Sequence, residues 1–121
     1  MRAVLLLTPY TPVVRAGDWL VVSGQIGLRD GALVSGDISA QVRQALANLA
    51  TVLEGEGAGL ASVVKTTVFL RDMDDYAAMN EAYTAAFGEH RPARSAVGVA
   101  GLPLDARVEV EAWAWVGASV A

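Results

Sequence analysis

The amino-acid sequence predicts an α+β fold: a mixed, mostly antiparallel sheet with two helices on one face. Three observations carry this. Two segments repeat apolar residues at three- and four-residue steps, the period of a helix buried along one side. Several others are rich in β-branched residues or alternate apolar with polar, as strands do. Their order along the chain is ββ(β)αβαββ, which layers helices against a sheet. A length of 121 residues suits one domain spanning 1–121.

Taken in order, Ala3–Leu7 reads as a short strand. Asp18–Gln25 follows an Ala16-Gly17 turn and reads as a second strand, ending in Ser23-Gly24. Ile26–Val34 is its expected hairpin partner, interrupted by a turn at Arg29-Asp30-Gly31. Asp37 is a good N-cap for the first helix. Ile38, Val42, Ala45, Leu46, Leu49, Val52 and Leu53 form its apolar stripe, and Gly55, Gly57 and Gly59 stop it. Ser62–Leu70 reads as a central strand. Asp72, Asp74 and Asp75 cluster where a second helix should begin, which suits the helix dipole. Tyr76, Met79, Tyr83, Ala86 and Phe87 give that helix its buried face, and Gly88 ends it. Arg94–Val99 and Arg107–Val116 are the last two strands.

Composition narrows function. A net charge of −4 and a pI near 4.8 oppose a nucleic-acid surface, and the nine basic residues form no run. With no Cys there are no disulfides, thiolate nucleophiles or Cys-ligated metals, and one histidine, His90, makes no histidine-rich metal site. No metal and no cofactor are expected. His90 itself reads as a solvated loop residue. Met1–Leu7 is apolar but too short for a membrane span and lacks the marks of a signal peptide, so the expected compartment is the cytoplasm. The mean hydropathy of +0.40 is high for a small chain. An apolar surface buried against sister subunits explains it, and so does the abundance of Ala and Val.

In the last strand Glu109, Glu111, Trp113 and Trp115 share one face, opposite Val108, Val110, Ala112, Ala114 and Val116. Two carboxylates and two indoles suit an intersubunit surface or a pocket wall; a solvated edge is the plainer alternative. If the last two strands form an antiparallel hairpin centred near Gly101-Leu102, Arg94 falls opposite Glu109. That pair is then either a cross-strand ion pair contributing about 0–1 kcal/mol, or a guanidinium fork for a substrate carboxylate beside a proton-transfer group. Spacing does not choose between them.

Four stretches resemble the RidA (YjgF, or endoribonuclease L-PSP) family. They are Val22-Ser23-Gly24-Gln25-Ile26, Val64-Lys65-Thr66-Thr67-Val68-Phe69-Leu70, and Met79-Asn80-Glu81-Ala82-Tyr83 followed by Phe87. The fourth is Pro92-Ala93-Arg94-Ser95 with Leu102-Pro103 and Val108-Glu109-Val110-Glu111. The resemblance spans nearly the whole chain. It implies a homotrimer of chorismate-mutase-like architecture with active sites between subunits. It also implies hydrolytic deamination of 2-aminoacrylate and 2-iminopropanoate species to 2-oxo acids and ammonia, without a cofactor. Residue by residue, it makes Arg94 the clamp for the substrate carboxylate and Glu109 the acid that positions water. Tyr10, thirteen residues before Ser23, together with Ser23, Gly24 and Asn80, would line the pocket. Lys65 and Thr66 are assigned to the sheet.

Three positions depart from the family pattern: Ala96 where many relatives carry Cys, and Gly98 and Gly101 where Glu and Arg are frequent. They imply a pocket of altered rim and substrate range. The alternative functions are a non-catalytic 2-oxo acid or metabolite sensor, and an endoribonuclease or translation inhibitor, which the acidic charge disfavours. A chorismate-mutase-like reaction would need more cations than Arg94 alone.

Overall fold

The computed structural model describes residues 9–117, so the strand expected at Ala3–Leu7 lies outside the described residues. The chain runs through β1 (Val13–Ala16), β2 (Trp19–Gln25), β3 (Leu28–Arg29), β4 (Ala32–Leu33) and α1 (Ile38–Glu54). It continues through β5 (Val63–Leu70), α2 (Tyr76–Phe87), β6 (Ala93–Gly98) and β7 (Val108–Trp115). The Asp37 carboxylate accepts the Ala40 N–H at 3.1 Å and so caps α1 as expected. Ile38, Val42, Ala45, Leu46, Leu49 and Leu53 are all buried. Before α2, the Asp72 carboxylate accepts the Asp74 N–H at 2.9 Å, and Gly88 closes the helix at φ 66°. Met79, Ala82, Tyr83 and Phe87 face the core. Tyr76 and Ala86, expected in that stripe, stay exposed.

The main sheet has the order β1-β2-β7-β5-β6, antiparallel except for the parallel pair β5–β6. α2 is the crossover that makes β5 and β6 parallel. The expected hairpin between the last two strands is therefore not formed. Val99 donates its N–H to Leu70 O, and Arg71 donates its own to Arg107 O. The chain thus steps over the end of β5 and returns as β7 on that strand's far side. A second expectation also changes. Ile26–Val34 does not pair with β2 but folds on itself, with Asp30 and Gly31 at positive φ (54° and 83°) in the two-residue turn between β3 and β4. The partner of β2 is β1, unannounced except by Val13-Val14 before the Gly17 turn (φ 61°).

Both helices cover one face of the sheet. Leu20, Val22, Val68, Leu70, Val108 and Val110 lie beneath them, all 2% exposed or less. Thr66, fully buried on β5, shares a 2.6 Å hydrogen bond with the Tyr83 hydroxyl on α2. Arg107 contacts both Asp75 carboxylate oxygens at 3.0 Å and donates its N–H to Gln41 Oε1, tying β7 to both helices. His90 is half-buried rather than solvated. Its Nε2–H donates to Val63 O at 2.6 Å, and its ring lies 6.1 Å from Phe87.

The opposite face is open. Trp19 meets Trp113 and Trp115 edge-on at 5.9 and 5.0 Å, and Val14, Val97, Trp113 and Trp115 are exposed. These apolar side chains share one sheet face that neither helix covers.

Replacing Tyr83 by Phe leaves the buried Thr66 hydroxyl without its partner. We expect a loss of about 1–3 kcal/mol. It would be read as a lower midpoint of urea unfolding at an unchanged slope.

Candidate active site

The candidate site residues fall into two groups. The first lies on the open face around Glu109. Between Val22 and Gln25 the β2–β7 register slips, so that Ser23 and Gly24 together face Glu111. This is a β-bulge, a device that re-aims the backbone beside functional groups. Gly24 packs directly against the Glu109 side chain. A Cβ there would lie 2.9 Å from Glu109 Cγ and closer still to its carboxylate, so only glycine leaves that carboxylate in place. The Ser23 hydroxyl donates to Thr11 O at 2.6 Å, and its N–H to Pro12 O, fixing the segment that carries Tyr10. Tyr10, Ser23, Gly24, Pro103, Glu109 and Glu111 line one cavity of about 360 Å³. A larger concavity of about 720 Å³ adjoins it along the sheet face toward Trp113.

The second lies on the helix face. Arg94, on the edge strand β6, is in register with Thr66, and its side chain runs under α2. It donates to the Tyr76 hydroxyl at 3.2 Å and to Met79 Sδ at 3.8 Å, with its guanidinium 4.9 Å from the Tyr83 ring centre. Burial raises the Tyr83 pKa, partly offset by the Thr66 hydrogen bond and the Arg94 charge, so Tyr83 stays a neutral phenol. Among the described residues no carboxylate pairs with Arg94. A half-buried cation held only by aromatic and sulfur contacts keeps its fork free for an anion. Asn80 lies one turn from Tyr76 on the same side of α2, and its Oδ1 is buried without a hydrogen-bond partner.

The expected side-by-side pair of Arg94 and Glu109 is therefore absent. β5 lies between β6 and β7, and the two side chains point to opposite faces of the sheet: Arg94 with Thr66, Glu109 with Phe69. The ion-pair reading of Arg94 falls with it. Of the six residues singled out from the sequence, the structure brings Tyr10, Ser23, Gly24 and Glu109 together. It leaves Arg94 and Asn80 in the other group. Among the described residues no group of three or more His, Asp or Glu side chains is placed to hold a metal ion.

The profile of the family described as Endoribonuclease L-PSP matches residues 2–116. The chain belongs to that family. A RutC family protein of Pyrococcus horikoshii is 47% identical over 109 residues, covering 88% of this chain and 86% of that protein. A 2-iminobutanoate/2-iminopropanoate deaminase of Salmonella typhimurium is 45% identical, covering 86% and 84%. Among solved structures, the YjgF gene product of E. coli has a TM-score of 0.85 at 41% identity, covering 90% of this chain and 89% of that one. E. coli TdcF with bound serine has a TM-score of 0.84 at 36% identity, covering 89% and 88%.

Within this member of the family, several site neighbours had escaped sequence reasoning. Tyr76 and Tyr83 reach Arg94 through the α2 crossover, and helical periodicity alone assigns both to the core. Met73 takes the space above Gly98, where a Cβ would come within 2.9 Å of its Cγ. Leu104 and Asp105 adopt left-handed φ values of 56° and 59° beside the Glu109 cavities. Such conformations cost about 1–2 kcal/mol per residue. Arg71 holds this loop through Asp105, touching its backbone oxygen and its carboxylate at 2.7 Å each.

Burial, and then the neighbouring Glu111 charge, raise the Glu109 pKa above its ordinary 4.5. The fold thus disfavours the carboxylate, and the stability that the protonated form brings is lost as pH rises through the raised value. Glu111→Gln should move the Glu109 titration toward lower pH but not to the value of a free carboxyl, since burial persists. Side-chain carboxyl carbon NMR shifts followed against pH would read this directly.

Proposed function

We propose that the protein is a hydrolase that deaminates 2-aminoacrylate and 2-iminopropanoate-type acids to 2-oxo acids and ammonia without a cofactor. Its sites form between the subunits of a homotrimer. The observation that carries the reading is the split site. A half-buried guanidinium without an anion and a raised carboxylate lie on opposite faces of one sheet, so one chain cannot bring both to a small molecule. A second copy covering the apolar open face supplies the missing half. Relatives named as deaminases, at 42–45% identity, support the chemistry.

Arg94 takes the substrate carboxylate in its fork, with Asn80 beside it. Tyr10, Ser23 and Gly24 of the neighbouring subunit close the other side. Glu109 accepts a proton from a water molecule, and the water oxygen bonds to the imine carbon as the C=N bond opens to C–N. Glu109 returns the proton to nitrogen. Glu109 then takes the proton of the new hydroxyl and passes it to the amino nitrogen, the C–N bond breaks, ammonia leaves and the carbonyl forms, so that imino acid and water become oxo acid and ammonia. An enamine substrate first takes a proton at its terminal carbon and gives one up from nitrogen, which makes it the imine. A carboxyl whose pKa burial and Glu111 raise above its ordinary value suits this two-way transfer.

The family's description names a ribonuclease, but a net charge of −4 opposes binding to a phosphate backbone. Among the described residues no helix is long and apolar enough to cross a membrane, and we place the reaction in the cytoplasm.

Oxo-acid release from 2-aminoacrylate generated in place should exceed the rate in buffer, and a rate equal to buffer contradicts the reading. Binding of an oxo acid with no turnover would select a sensor instead. Arg94→Ala should lower kcat/KM on the order of 100-fold or more, the loss of two charge-assisted hydrogen bonds. Sedimentation equilibrium should give three times the chain mass.

A further inference from the structure

We propose that a chamber leading away from Glu109 receives the substrate's side chain, and that Leu104 makes the enzyme favour 2-imino acids with extended aliphatic side chains. This deepens the deaminase reading and rests on it. The chamber holds about 390 Å³, and Gly24 and Glu109 are among the residues that line it. Ile26, Leu28, Val52, Pro103 and Leu104 give it apolar walls. The methyl group of an iminopropanoate would leave most of that space empty.

Besides Glu109, Tyr10, Gln25 and Asn48 are its polar lining residues, and the Asn48 amide is engaged. Both Asn48 amide N–H groups donate at 2.9 Å, to the Ile26 and Leu28 carbonyls, and the Asn48 oxygen accepts from Gln44. The Gln25 amide donates to Ser23 O. An aliphatic side chain entering here meets Ile26, Leu28, Val52 and Leu104 and has no polar group to desolvate.

Leu104 is the position with least structural reason to be leucine. It is 65% exposed and holds φ at 56°, a conformation that Gly or Asn adopts more easily. An exposed leucine in a strained backbone, clamped by Arg71 over the cavity that holds Glu109, presents an apolar surface to whatever binds there. Pro103 precedes it and stiffens the loop. Arg71 is a positioning residue for this wall.

The test compares imines generated in place by an L-amino acid oxidase from leucine and from alanine, with oxo-acid release measured for each. The wild-type protein should show kcat/KM about tenfold or more higher for the leucine-derived imine. Leu104→Asn, which suits the left-handed backbone, should cut that leucine-to-alanine ratio about tenfold. Val52→Ser, on α1 across the chamber, should cut it in the same direction without touching the loop. A wild-type ratio near one, or a ratio unchanged in both variants, overturns the chamber's role while leaving the deaminase reading in place. No turnover of either imine overturns the deaminase reading itself.

Discussion

The insertion of β5 between β6 and β7 governs the rest of the architecture. Arg94 and Glu109 are separated by only a loop and parts of two strands, and a hairpin would have set them side by side as a self-neutralising pair. Instead the chain crosses the end of β5, anchored by the Val99–Leu70 and Arg71–Arg107 backbone hydrogen bonds. Pairing β6 parallel to β5 turns the Arg94 side chain under α2. Pairing β7 antiparallel to the other edge of β5 turns Glu109 to the open face. Neither charge quenches the other within a chain, and each keeps a chemistry that a surface ion pair would have spent.

Each half is then tuned by neighbours of low polarity. Arg94 rests among Tyr76, Met79 and Tyr83, groups that hold a guanidinium without satisfying its charge. Glu109 sits over Gly24, where the missing Cβ and the bulge at Ser23-Gly24 let the carboxylate lie close to the backbone and out of water. Burial and Glu111 hold its pKa up. In the assembly proposed above, the tryptophans of the open face are the surface that a second copy covers as it brings the two halves of the site within reach of one ligand.

Local features of this fold were legible in the sequence. Asp37, the apolar stripe of α1, the aspartates before α2 and Gly88 all stand where capping and periodicity put them. The Glu109-Glu111-Trp113-Trp115 face was visible from strand alternation alone. What alternation cannot carry is which strand lies beside which. The Gly101-Leu102 stretch looks like a hairpin tip, yet it is part of a longer step over β5, because β7's core-facing Val108, Val110, Ala112 and Ala114 fit the centre of the sheet. The misplacement of β7 is what made Arg94 and Glu109 look like partners. His90 looked solvated because its acceptor, Val63 O, lies 27 residues away in sequence. Leu104 escaped notice because nothing about a leucine announces a left-handed backbone. The family resemblance named the site residues, but the topology explains why they stand apart.

The central claim is that Arg94 of one subunit works with Glu109 of another. Co-expressing Arg94→Ala and Glu109→Gln subunits, each inactive alone, tests it most directly. Random assembly into trimers leaves about a quarter of the sites with both groups intact. The account therefore predicts that deaminase activity recovers to about a quarter of the wild-type value. A mixed assembly as inactive as either variant alone would contradict it.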